Sequence, residues 1–404
     1  MNPLERSGAA LFASRRGLIL PGLLLLVLAG CAIQGPNAMH ASRLGYNEAV
    51  QVSDQRELLL NLVRLRYSEA PEFLAVSGIS TQMSYDAGAS IGGDFGDADG
   101  EDLNVVSPGA SVGYSESPTI TFIPRRDQDF TRQLVAPVEL DSLYLLTRDG
   151  WGLDRVLLLI ADEVNGIYNT VSREDGSAEP GDLRAFQELV SRMRRLESER
   201  LIRIDVQLRR EILSAVIPDK LVSAGDMLSA VKDGYRMEYQ AQPAGYVLTG
   251  ERTHYVLAVD KRAWDHPDFV AVRRALNLPS RSETYELDMA TSPDSGGLRL
   301  ATRSVLGAML YLSNGVSVPK AHNGLVGRNV GLNSPMKKLL EVRVSAAPVD
   351  DAYVAVQHRG YWFYVSDEDI DSKRTLGLLT SLVRLSISAG GAQNVPILTL
   401  PVSR

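Results

Sequence analysis

A single cysteine in 404 residues, Cys31, excludes an intramolecular disulfide and any thiolate metal cage. The five histidines (His40, His254, His266, His322 and His358) stand singly, without the close spacing of a zinc site, so no metal is expected. No phosphate-binding glycine loop and no dinucleotide fingerprint occurs, and no cofactor is expected. Basic runs are missing too. With a net charge of -7, the chain is a poor partner for nucleic acid. The longest apolar run, Leu18 to Leu28, is about half of the ~20 residues that a spanning helix needs.

What is present begins at that run. Arg15 and Arg16 precede it and small residues follow it, the order of a secretory signal peptide. Leu28-Ala29-Gly30-Cys31 resembles the lipobox of bacterial lipoproteins. The resemblance implies cleavage between Gly30 and Cys31 and lipidation of Cys31, with a diacylglyceryl group on sulfur and an acyl chain such as palmitate on the amine. Each buried methylene contributes about 0.8 kcal/mol and two chains suffice for stable anchoring, so the expected partner of the N-terminus is a membrane. In Gram-negative lipoproteins an aspartate after the cysteine commonly marks inner-membrane retention. Here Ala32 follows, which implies an outer-membrane anchor with a periplasmic body. Glu5, Arg6, Arg15 and Arg16 leave with the signal, taking the net charge from -7 to -9.

The remaining chain of about 370 residues exceeds what one core usually serves. The sequence divides into a signal peptide (1–30), a lipidated tether (31–50), a helical region with a long hairpin (51–222) and a mixed domain (223–404). Leu58, Leu59, Leu62 and Leu65 predict a helix up to about Tyr67, ended by Pro71. Leu153 to Val164 and Leu298 to Leu312 are expected to be apolar helices. Two strands are expected around a turn at Gly250-Glu251-Arg252, and a hairpin at His358-Arg359-Gly360. Helices interleaved with antiparallel hairpins predict an α+β fold and not a doubly wound parallel sheet.

The hairpin near residues 79–122 is the informative stretch. Its candidate membrane face reads Ile79, Met83, Tyr85, Ala87, Ala89 and Ile91, then Ala110, Val112 and Tyr114 on the return. Between them fall Ser80, Gln82, Ser84, Asp86, Gly88 and Ser90, then Gly109, Ser111, Gly113 and Ser115. Strict period-two alternation over this length matches a transmembrane β-strand, which needs about 9–11 tilted residues. One hairpin cannot close a barrel, and an open edge does not survive in lipid. Two readings follow: a shared barrel built from the hairpins of several copies, or a soluble hairpin covering the body.

Catalytic patterns occur in the wrong setting. Gly88-Ala89-Ser90-Ile91-Gly92 and Gly109-Ala110-Ser111-Val112-Gly113 match G-x-S-x-G, which needs a strand, a sharp turn at the serine and then a helix. Both serines fall inside alternating strands. Ser317-Val318-Pro319-Lys320 and Ser334-Pro335-Met336-Lys337 match S-x-x-K, but the prolines prevent the helix that this motif opens. The acidic turn Asp97–Asp102 lacks EF-hand spacing. Tyr361-Trp362-Phe363-Tyr364 suits core packing or a binding surface.

Leu58–Tyr67 with Pro71-Glu72-Phe73-Leu74, and Gly360–Tyr364 with Asp369–Leu378, look similar to predicted lipoproteins of Gram-negative bacteria. That family has no assigned activity, so the resemblance implies no functional residues. The expectation is a non-enzymatic outer-membrane lipoprotein acting in binding or envelope assembly, with envelope proteins as partners. The alternative is a subunit of a homo-oligomeric pore or export complex. An unrecognised envelope hydrolase is third.

Overall fold

The computed structural model describes residues 34–94, 105–125, 128–169, 180–279, 281–289, 297–326 and 339–388. Cys31 and the signal peptide lie outside them, as do the connection 95–104 and the second S-x-x-K match. By compactness the chain falls into two units, Met1–Glu57 and Leu58–Arg404. Helix α1 (Gln34–Arg66) accounts for the described part of the first unit. The stretch expected to be a tether is therefore helical from Gln34. Gly35, Pro36, Asn37 and Gly45 are poor helix formers and hide this in the sequence.

The second unit begins with the last turns of α1, which bury Leu58, Leu59, Leu62 and Val63. A residue at positive φ, Ser68, ends the helical path. Strands β1 (Leu74–Asp94) and β2 (Val105–Pro124) then form an antiparallel ribbon. Helices α2 (Gln128–Val135), α3 (Leu140–Arg148) and α4 (Leu153–Ile160) follow. The apolar run expected to stay helical to Val164 instead turns into strand β3 (Ala161–Val164). Asn165 and Gly166, both at positive φ, reverse the chain into β4 (Ile167–Tyr168), as an Asn-Gly hairpin turn requires.

A buried arginine stabilises the end of α4. The Arg303 side chain, 8% exposed, stacks 3.9 Å over the Tyr311 ring. Its Nη1 donates to the carbonyls of Ala161 (2.6 Å) and Leu159 (3.4 Å). Its Nη2 donates to the Asn169 carbonyl. Asn169 in turn donates to Leu158 O at 2.9 Å and Ala161 O at 2.8 Å, and accepts from the Tyr311 hydroxyl at 2.7 Å. The carbonyls freed where helix becomes strand thus find partners inside the protein. Burial pushes the Tyr311 phenol up to about 12 and lowers the Arg303 guanidinium from its ordinary value.

The remaining elements are α5 (Pro180–Ser198), β5 (Ile202–Ile212), α6 (Ala224–Lys232), β6 (Arg236–Ala241) and β7 (Ala244–Val259). After them come α7 (Pro267–Ala275), β8 (Thr284–Met289), β9 (Leu298–Thr302) and α8 (Val305–Ser313). The chain closes with β10 (Arg343–Ser345), β11 (Ala352–His358), β12 (Tyr361–Ser366) and α9 (Ile370–Ser388). One sheet has the order β4-β3-β9-β8-β7-β5, with β6 also on β7, and a smaller one the order β10-β12-β11. Among the described strands every pairing is antiparallel except β8 with β9. The fold is α+β.

Two further expectations change. Leu298 to Leu312 is a strand and a helix, because Leu298–Leu300 pair in parallel with β8 and Ser304 caps α8 by accepting from Gly307 N at 3.0 Å. Gly250 is no turn. β7 runs straight through it, and a Cβ there would meet Leu213 at 2.7 Å and Tyr235 at 2.9 Å, so close packing requires the glycine. The boundary expected at residue 222 also does not divide the sheet, since β3 pairs with β9 and β5 with β7, and the chain from Leu58 onward is one compact unit.

Candidate functional site

The β1–β2 ribbon is the candidate site, and its root is built first. Asn61, fully buried on α1, donates to the Glu72 carbonyl at 2.7 Å and accepts from Glu72 N–H at 3.0 Å. This reciprocal pair fixes the chain two residues before β1 begins. Arg125 N–H donates to Phe73 O at 3.0 Å, and Phe73 meets Phe130 of α2 edge to face at 5.5 Å. Both strands therefore leave the body from one clamped point.

Beside the root lies a cluster that the sequence did not reveal. The Tyr67 hydroxyl shares a hydrogen bond of 2.8 Å with His322 Nδ1, and its ring meets those of His358 and Phe363 edge-on at 5.4 and 6.1 Å. Glu69 accepts from Arg359 at 2.6 and 2.9 Å and lies 3.3 Å from His358 Nε2. Burial alone would raise the Glu69 carboxyl. The Arg359 hydrogen bonds and the neighbouring His358 and Arg359 outweigh it and hold the group below its ordinary value. Burial also raises the Tyr67 phenol. The Glu69–Arg359 hydrogen bonds latch the segment before β1 to the β11–β12 turn, while the buried His358 Nε2 beside them makes no hydrogen bond. Two histidines that are isolated in sequence thus share one ring cluster. Among the described residues no group of three or more His, Cys, Asp or Glu is placed to hold a metal.

The ribbon itself pairs over its whole length. β1 has 21 residues and β2 has 20, with register from Leu74 opposite Pro124 to Asp94 opposite Val105 and one irregularity between Val76 and Gly78. At about 3.3 Å per residue it is some 65 Å long. Neither strand pairs with any other strand among the described residues, so neither outer edge continues into a sheet. The register brings the sequence-predicted face together: Ile79 lies opposite Ile120, Tyr85 opposite Tyr114, Ala87 opposite Val112, and Ala89 opposite Ala110. Met83 and Ile91 share this face, opposite Glu116 and Pro108. Toward the root the same face leaves apolar side chains in solvent, with Ile120 40% and Phe122 51% exposed. On the other face Asp86, Gly88, Ser90, Gly92, Gly109 and Ser111 are exposed.

The two G-x-S-x-G matches meet in this register. Gly88 faces Ser111, Ala89 faces Ala110, and Ser90 faces Gly109. Each serine sits over the other strand's glycine, where a Cβ would lie 2.7–2.8 Å from the hydroxyl oxygen. The motif is a small-residue step in a two-stranded ladder, with no turn and no following helix. Ser317 and Lys320 bracket Pro319 ahead of a single helical turn, Lys320–His322. In the aromatic run Phe363 is fully buried and Tyr361 packs on the core.

Elsewhere the body offers one charged cleft of about 440 Å³ on the face of β5, β7 and β8. Its ionic groups are already paired: Arg203 with Asp205 at 2.8 Å, and Lys261 with Glu283 at 2.8 Å. Nothing there converges on a ligand. Comparison with protein-family models, with curated proteins and with solved structures finds no match for this chain.

Proposed function

We propose that the protein is a lipid-anchored subunit of an outer-membrane assembly in which the β1–β2 ribbons of several copies close a common β-barrel. The observation that carries this reading is the ribbon's isolation as a sheet: its 21- and 20-residue strands form a ladder with each other and, among the described residues, with no other strand. A two-stranded hairpin is marginal alone in water, and its open edges are forbidden in lipid. Edge-to-edge closure with identical ribbons satisfies both. Barrels of this type start at about eight strands, which sets a minimum of about four copies.

The register supports a membrane segment in this reading. From the Tyr85–Tyr114 pair to Gly93 opposite Val106, one face holds no ionisable side chain but tyrosine. These nine positions match the roughly 9–11 residues that cross a bilayer, with the tyrosine pair at one end. Glu116, opposite Met83, falls just outside the tyrosine rim on the side of the body. Cys31 would hold each copy on the inner face of the same membrane through its lipid. A binding role without a pore is the second reading, favoured by the exposed apolar side chains of Leu228 and Val231 on α6 and Leu221 just before it.

Replacing Ile79–Ile120 with a Gly/Ser linker tests the proposal. The remaining chain is expected to fold, to stay membrane-anchored and to lose its oligomeric state. Oligomers that survive the deletion would overturn the shared barrel.

A further inference from the structure

No Lys, Arg or His occurs between Arg66 and Arg125, although the chain carries 42 Lys and Arg. Within the ribbon and its connection, residues 74–124, stand seven carboxylates: Asp86, Asp94, Asp97, Asp99, Glu101, Asp102 and Glu116. Their placement in the register is uneven. Glu116 shares the face of Tyr85 and Tyr114, whereas Asp86 belongs to the opposite, small-residue face, where it is exposed, and Asp94 takes a position on that same face at the last pair of the ladder. Across the ladder from Asp86 is Gly113, whose missing side chain leaves the carboxylate unobstructed. From Ser80 to Gly92 and from Gly109 to Thr121, that face otherwise carries only Ser, Thr, Gln and Gly. Asp86 lies one residue inside the tyrosine pair that marks the membrane rim.

Resting on the shared-barrel reading, we infer that the lumen passes small cations in preference to anions and that Asp86 sets this selectivity. Closure of the barrel turns Asp86 into a ring of carboxylates at one depth within the proposed membrane segment, with the Asp94 positions just beyond that segment. No positive side chain of the ribbon is available to neutralise it. A one-signed ring inside low-dielectric walls raises the local concentration of counter-ions and excludes co-ions, which is how carboxylate rings select in cation channels.

The experiment is reversal-potential recording of the full-length lipoprotein in planar bilayers under a KCl gradient. The wild type is expected to favour potassium over chloride. Asp86→Asn, nearly the same in size, should lower the permeability ratio by about threefold or more, and Asp86→Lys should invert the preference. Glu116→Gln, on the other face, should leave the ratio unchanged. Selectivity should also weaken from 0.1 M to 1 M salt, as the screening length falls from about 10 Å to about 3 Å. Channels that are anion-selective, or whose ratio ignores Asp86→Asn, would overturn this inference and leave the barrel standing. Absence of any conductance would remove the barrel and the inference with it.

Discussion

Ser111 lies directly across the ribbon from Gly88, its hydroxyl 3.5 Å from the Gly88 carbonyl, and Ser90 holds the reciprocal position over Gly109. This exchange accounts for the double occurrence of G-x-S-x-G. Each motif supplies the small partner that the other's serine needs, and residues 74–124 contain no histidine to activate either hydroxyl. Ser90→Ala and Ser111→Ala are therefore expected to leave folding and assembly intact, and a fluorophosphonate should label neither wild type nor variant. Labelling that disappears in one variant would restore the hydrolase reading.

The root of the ribbon depends on one amide. Asn61→Leu removes both partners of the Glu72 backbone in a fully buried position. An unsatisfied buried polar group costs about 1–3 kcal/mol, so the urea midpoint should fall accordingly. An unchanged midpoint would show that Glu72 is held by something else.

Part of this architecture was legible in the sequence and part was not, for physical reasons. Alternation from Ile79 to Tyr114 is a local property of a strand, so the two faces could be read without tertiary information. The break of the run Leu153–Val164 could not be read so easily. Its apolar residues suit a helix throughout, and what ends the helix is Arg303, more than 130 residues away, bonding the carbonyls of Leu159 and Ala161. The local signal that was present, Asn165-Gly166 between Val164 and Ile167, is a hairpin turn that the helical pattern masked. Tyr67 and His322 stand 255 positions apart, and no spacing rule connects them.

Acid should weaken the body in a defined window. Arg195, seconded by Arg192, holds the Asp268 carboxyl at about 2, well below the ordinary 3.8. A depressed pKa stabilises the fold above the unfolded value and loses that contribution as pH falls from about 4 to about 2. Arg195 is half exposed, so solvent screens the pair and keeps its contribution small. Asp268→Asn should thus lower the urea midpoint at pH 7, and the gap to wild type should narrow as pH approaches 3. A gap that does not change with pH would assign the effect to packing.

Lipidation of Cys31, proposed from the sequence, is tested by substitution. Cys31→Ser should leave an uncleaved, unlipidated precursor, read by mass and by loss of radiolabelled palmitate. Ala32→Asp should move part of the protein to the inner-membrane fraction. Normal processing of the first variant, or unchanged sorting of the second, would contradict the N-terminal reading.

If isolated ribbons close into one barrel, native mass measurement paired with negative-stain microscopy of the full-length, detergent-extracted protein should show closed rings of one fixed copy number, about four or more. Monomers or dimers at every concentration, with no ring in the images, would contradict it.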